Sequence, residues 1–290
     1  MWNVIAEAIT QATDAPFSID ATSSITGGDI NQSYLVEGCS KRYFVKINQA
    51  SRLDNFEAEA YSLNALHLAE QIKVPEVIAV GKTAEHSFLV LEYLELKQPT
   101  DKQWHTLGQQ LAWLHKTTSH GQFGWQHDNV IGSTVQPNRW SSNWRQFFSQ
   151  QRIAWQLQLL SEKSIILGDI DYITQVCHDL LTHHQVSPCL VHGDLWQGNV
   201  GFYHKQPVIF DPASYYGDRE VDIAMTELFG RFPLAFYQGY QKVLPLPERY
   251  ETRKHVYNFY HVLNHANLFG GVYIDQAKAC LQRILSFETP

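Results

Sequence analysis

Leu190-Val191-His192-Gly193-Asp194-Leu195-Trp196-Gln197-Gly198-Asn199, followed by Val208-Ile209-Phe210-Asp211-Pro212, are the segments on which the reading of this chain turns. Each starts as a short apolar run and ends in polar groups, the pattern of a strand that delivers side chains to a loop. An Asp, an Asn and a second Asp delivered in this way are the equipment of phosphoryl transfer. Asp194 is the candidate base for the proton of an attacking hydroxyl, and Asn199 and Asp211 are candidate magnesium ligands against nucleotide phosphates. Singly, each residue has a structural use: an Asp caps helices, an Asn sits in turns, and His192 serves as a scaffold that holds the loop by a ring N–H. The joint pattern is far more specific than its parts.

Upstream, Lys46 ends the alternation Tyr43-Phe44-Val45-Lys46. A charged residue at such a place usually points to solvent, unless a carboxylate on the next helix holds it in one rotamer and aims it at phosphate oxygens. Spacing alone leaves Glu57 and Glu59 as candidates for that carboxylate. The turn at Gly27-Gly28 lets backbone N–H groups approach phosphates closely, although Gly-Gly turns also occur without any ligand. Trp196 has two readings, a core tryptophan or a flat apolar face that stacks on a sugar or an aliphatic chain.

The chain has 290 residues, 44% of them hydrophobic, which suffices for one large core or two modest ones. Lys and Arg total 22 against 29 Asp and Glu, a formal charge of −7, and no basic run stands out. That balance argues against nucleic acid or an anionic membrane surface as a main partner. No apolar stretch reaches the length of a membrane span, and the first residues lack the features of a secretion signal, so a cytoplasmic protein is expected. Cys39, Cys177, Cys189 and Cys280 are scattered without a C-x-x-C pair, which fits reduced thiols. His183-His184 and His261/His265 have metal-compatible spacings, but such pairs more often pack or face solvent.

The first third reads as strands. A short helix covers residues 3–12, a hairpin joins 33–37 to 42–47, a helix follows Asp54, and strands fall at 77–80 and 88–91. After Pro99 the pattern is helical, with long periodic stretches near 104–115, 144–160 and 170–181, and again from 218 to 287. A strand-rich start and a helix-rich remainder imply an α+β chain of two lobes, 1–93 and 94–290, with a hinge near residues 92–96.

At this point the motifs resemble the fructosamine/ketosamine 3-kinase family, a branch of the aminoglycoside-phosphotransferase and protein-kinase-like superfamily. The resemblance runs over almost the whole chain. Its most diagnostic pieces are His192-Gly193-Asp194-Leu195-Trp196-x-Gly198-Asn199, Phe210-Asp211-Pro212-Ala213 and Tyr216-Gly217-Asp218-Arg219-Glu220-x-Asp222. The His-Gly-Asp element alone indicates only the wider superfamily; Trp196 with the Gly-Asp-Arg-Glu run indicates the ketosamine branch. The resemblance implies a protein-kinase-like fold, with a small antiparallel-sheet lobe that binds nucleotide and a larger, mainly helical lobe that carries the catalytic loop and the acceptor. It implies ATP and Mg²⁺ as cofactors, and phosphorylation of the 3-hydroxyl of ketosamines, as small molecules or on glycated proteins. The 3-phosphate is unstable and frees the amine, which is deglycation.

By position, the resemblance makes Asp194 the base, Asn199 and Asp211 the magnesium ligands, and Lys46 with Glu59 the pair that sets the phosphates. It adds the glycines Gly27 and Gly28 at the phosphates and backbone groups of Glu92 and Leu94 at adenine. Trp196, Asp218 and Arg219 border the acceptor. Protein kinases commonly carry a Lys where Trp196 stands and an Arg where Gly193 stands; their absence points to a small-molecule kinase with a permanently assembled site. Asp29 occupies a stretch where some members carry a redox-sensitive Cys, so that form of switching is not expected. The rival readings are another small-molecule hydroxyl kinase of the aminoglycoside or choline type, and a nucleotide-binding pseudokinase. The second is disfavoured by the presence of Lys46, Asp194 and Asp211 together.

Overall fold

The computed structural model describes residues 1–25, 31–182 and 184–287. The chain is an α+β protein with an antiparallel N-terminal sheet and a helical C-terminal part. It divides into two compact units, residues 1–99 with 201–211, and residues 100–200 with 212–290.

In the first unit, helix α1 (Trp2–Thr13) precedes strands β1 (Ala21–Ile25), β2 (Gln32–Gly38) and β3 (Lys41–Gln49). Helix α2 (Leu53–Leu68) and strands β4 (Val77–Lys82) and β5 (His86–Glu92) complete a sheet of order β1-β2-β3-β5-β4. The expected hairpin is β2–β3, paired Tyr34 with Val45 and Val36 with Tyr43. Alternation along β3 sends Tyr43, Val45 and Ile47 to one face, where they pack with Ile5, Ile9, Phe17, Phe88 and Val90. The same period of two turns Lys46 to the opposite face, on the side of the sheet where α2 packs on β4 and β5. Helix α2 starts at Leu53 behind a short 3₁₀ turn, so Asp54 lies in its first turn and is not its cap. Strand β1 is polar and mostly exposed, which is why no apolar period announced it.

The first unit also takes back a distant hairpin. Val200–Tyr203 and Gln206–Ile209 pair around His204 and Lys205, both with positive φ, as a two-residue hairpin turn with this twist requires. The hairpin docks through Ile209 N–H to the Lys73 carbonyl at 3.1 Å and Lys97 N–H to the Phe202 carbonyl at 2.8 Å. Asp211 follows directly from it and so belongs to this unit.

The second unit is built around the helix Tyr250–Phe269, whose Tyr257, Phe259 and Tyr260 are buried with Phe147, Phe148 and Tyr215. The stretch expected as one helix over 144–160 is Trp144–Phe148, a π-helical segment Ser149–Ala154, and Trp155–Glu162. The wider turn accommodates the fully buried Arg152, whose guanidinium lies 4.3 Å from the Tyr215 ring centroid and donates to Asn138 Oδ1 at 2.7 Å. Two short strands, Cys189–Val191 and Tyr215–Gly217, pair antiparallel with Val191 opposite Tyr215. They anchor the stretches before and after the His-Gly-Asp loop.

Candidate active site

In the first unit the Lys46 amine donates to Glu59 Oε1 and to Asp211 Oδ1, each at 2.6 Å. Glu59, and not the exposed Glu57, is therefore its partner on α2. Lys46 is 5% exposed. Burial pulls against its charge, but the Asp211 and Glu59 carboxylates outweigh that effect and hold the amine above the ordinary lysine range. One cation faces two carboxyl groups, and burial raises the Glu59 carboxyl above its ordinary range, with the Lys46 amine opposing that effect. Asp211, with 45% of its side chain exposed, is the open member of the cluster. Asp211 adopts φ 57°, a left-handed backbone that Asp tolerates better than most residues.

Glu92 donates its backbone N–H to the Glu76 carbonyl at 2.8 Å, and its carboxylate accepts from Lys73 at 2.9 Å. Leu94 follows, half-buried, just beyond β5. Gly27 and Gly28 lie outside the described residues.

In the second unit the His-Gly-Asp loop is held from below by one carboxylate. Asp222, fully buried near the start of the helix Glu220–Leu228, accepts from the backbone N–H of His192 at 2.7 Å and of Gly193 at 2.8 Å. His115 braces it, with Nε2 3.1 Å from Asp222 Oδ2 and Nδ1 2.9 Å from the Tyr240 hydroxyl. Burial alone would raise the Asp222 pKa; the His115 contact, the nearby His192 and the loop N–H groups reverse this and hold it below the ordinary range. Asp222 stands inside one of the quoted motifs, yet its task emerges only from the fold.

Gly193 has φ 83°, and a Cβ there would come within 2.2 Å of the Ala213 carbonyl oxygen. Steric exclusion thus accounts for the absence of a side chain at that position. His192 is wholly buried, and its Nδ1 accepts from the Asp194 N–H at 3.2 Å. The ring is scaffold, and in this bond it is the acceptor and not the donor.

Asn199, 5% exposed, donates its amide to the Asp194 carbonyl at 2.8 Å and to Asp194 Oδ2 at 3.3 Å. The two residues are therefore together. With the amide nitrogen engaged by Asp194, the amide oxygen is the atom of Asn199 with metal-ligand character. Trp196 is 38% exposed, which rules out the core reading. Its indole lies over Gly198, where a Cβ would meet the ring at 2.3 Å, so a glycine is needed to let it lie flat.

Asp218 and Arg219 are engaged inside the second unit. Asp218 is 2% exposed and accepts from the Tyr257 hydroxyl at 2.6 Å, His184 Nε2 at 2.7 Å and the Glu220 N–H at 3.0 Å. The Arg219 guanidinium donates to Tyr240, Leu244 and Pro245. His184, Asp218 and Glu220 form a metal-like cluster by distance, but Arg253 grips Glu220 through two hydrogen bonds, at 2.8 and 2.7 Å. That arrangement is a satisfied ion network. His183 lies outside the described residues.

One further residue reaches Asp194 through the packing of a distant helix. His261, on the helix Tyr250–Phe269, has its Nδ1 3.9 Å from Asp194 Oδ1. In sequence it shows only the four-residue spacing to His265, which fits packing as readily as metal ligation.

The profile of the fructosamine kinase family matches residues 1–287. The chain belongs to that family. By this membership it is a phosphotransferase of the kinase class. A relative from Vibrio parahaemolyticus, named a probable ketoamine kinase, is 48% identical over 288 residues, covering 99% of this chain and 100% of the relative. A crystal structure from Haemophilus somnus, provisionally named a fructosamine-3-kinase, superposes with a TM-score of 0.94 at 35% identity, covering 98% of each chain. An aminoglycoside phosphotransferase solved with AMP-PNP and hygromycin B gives a TM-score of 0.64 at 13% identity, over 94% of this chain and 95% of that one. At that identity the likeness is one of fold alone.

Proposed function

We propose that the chain is an ATP- and magnesium-dependent kinase for the 3-hydroxyl of ketosamines, acting on ribulosamine or fructosamine adducts of amines or of protein lysines. In this reading the first unit binds nucleotide and the second carries the catalytic loop and the acceptor. The observation that carries it is the Asp194 loop, whose backbone is clamped by Asp222 and whose carboxylate is paired with Asn199.

The acceptor oxygen attacks the γ-phosphorus, the new O–P bond forms, and the bond to the β,γ-bridging oxygen breaks to release ADP. The acceptor proton goes to Asp194. Lys46, kept charged by its two carboxylates, orients phosphate oxygens, and backbone groups of Glu92 and Leu94 meet adenine. Trp196 offers its exposed face to the sugar chain. The product enolises and eliminates its 3-phosphate as inorganic phosphate; water then cleaves the resulting imine, which frees the amine and leaves a 3-deoxy dicarbonyl sugar.

The donor set suits magnesium, which prefers hard oxygen ligands. Asp211 supplies a half-exposed carboxylate beside Lys46, and Asn199 an amide oxygen. When bound, the ion neutralises charge on the phosphates, a need made greater by the absence of a lysine at position 196.

The test is a coupled ADP-release assay with ribulose-lysine, fructose-lysine, an aminoglycoside and choline offered in parallel. Preference for the ketosamines supports this reading; turnover of an aminoglycoside or choline alone overturns it.

A further inference from the structure

The His261 imidazole is 3% exposed, and its Nδ1 has no hydrogen-bond partner among the described residues. It faces Asp194 Oδ1 at 3.9 Å, beyond hydrogen-bond reach. Burial, with His265 adding to it, takes His261 down to about 3, so the ring is neutral near pH 7 and the contact is not an ion pair. An unpaired buried ring nitrogen costs free energy unless a bound group satisfies it. A lone pair directed at a carboxylate would be repelled, so the proton belongs on Nδ1. A neutral donor and an anionic acceptor thus stand side by side, too far apart for each other.

Vicinal sugar oxygens match that spacing. One hydroxyl donates to Asp194, while its neighbour accepts from Nδ1–H. The helix Tyr250–Phe269 fixes the ring, and the His261 carbonyl is itself engaged by His265 Nδ1 at 2.8 Å.

We infer that His261 is an acceptor-binding residue, whose Nδ1–H holds the sugar oxygen next to the hydroxyl that is phosphorylated. The inference rests on the ketosamine kinase reading and adds a second polar anchor to the acceptor site beside the base.

The experiment compares His261→Phe, His261→Asn and His261→Gln with the wild type in steady-state kinetics, varying ketosamine and ATP separately. Phe keeps the ring volume without a donor. Asn restores an N–H near the Nδ1 position, whereas Gln places one near Nε2. We expect kcat/KM for the ketosamine to fall about tenfold in His261→Phe and His261→Gln, the size of one lost hydrogen bond. Recovery is expected in His261→Asn, with the KM for ATP unchanged throughout. Wild-type acceptor kinetics in His261→Phe overturn the inference alone. So do equal losses in all three variants that extend to the KM for ATP, because these mark a purely structural role. A wild type inert toward every ketosamine overturns the functional reading and the inference with it.

Discussion

Asp211 combines a left-handed backbone at φ 57° with a position directly before Pro212, a conformation that most side chains resist. Asn tolerates that conformation at least as well, so Asp211→Asn removes the charge with little backbone cost. We expect this variant to fold normally and to lose the magnesium dependence of ATP binding in calorimetric titrations; unchanged dependence would contradict its assignment as a ligand. The residue scale also shows how the Lys46 partner became decidable. Spacing alone leaves Glu57 and Glu59 open; the strand phase turns Lys46 toward α2, and the phase of α2, which exposes Glu57 and half-buries Glu59, selects Glu59. His261 lay beyond such reasoning, because its approach to Asp194 depends on how a C-terminal helix packs, which no local period encodes.

Among the elements, the His-Gly-Asp loop depends on two features that side-chain chemistry alone does not suggest. Gly193→Ala would force a Cβ into the Ala213 carbonyl at a positive φ, so we expect a loss of at least ~1–2 kcal/mol in chemical denaturation and near-complete loss of turnover. Asp222→Asn removes the charge that accepts two backbone N–H groups and His115, at an expected ~2–4 kcal/mol. The direction of the Asp222 shift fixes the pH dependence. Its folded pKa lies below the unfolded value of about 3.9, so its stabilisation is complete above that value and is lost as pH falls through the folded pKa. Urea midpoints between pH 3 and 7 should therefore fall more steeply in acid for the wild type than for Asp222→Asn; parallel curves would contradict the clamp. Legibility at this scale followed the strength of the apolar period. The β2–β3 hairpin and the helices were readable, whereas polar β1 and the π-helical segment Ser149–Ala154 were not, since neither breaks the local pattern in a recognisable way.

At the scale of the whole molecule, the change from strand to helix pattern falls after residue 93, while the compact units divide after residue 99 and the first takes back 201–211. The reason is topological. The hairpin ending at Ile209 pairs with Lys73 and brings Asp211 to a lysine 165 residues earlier, a long-range contact invisible to a boundary drawn from composition. If the native state binds Mg-ATP as proposed, saturation near 100 times Kd adds about 2.7 kcal/mol of stability. Thermal scans should then show a rise in Tm of roughly 5–10 °C with ATP and magnesium together, and a much smaller rise with either alone. An unchanged Tm with both would contradict nucleotide binding. The most direct test of the central claim is ³¹P NMR of wild type and Asp194→Asn incubated with Mg-ATP and ribulose-lysine or fructose-lysine. The account predicts a sugar 3-phosphate signal that decays as free lysine appears, with turnover about 10²–10⁴-fold lower in Asp194→Asn. Phosphorylation at another position, or ordinary turnover by Asp194→Asn, would contradict it.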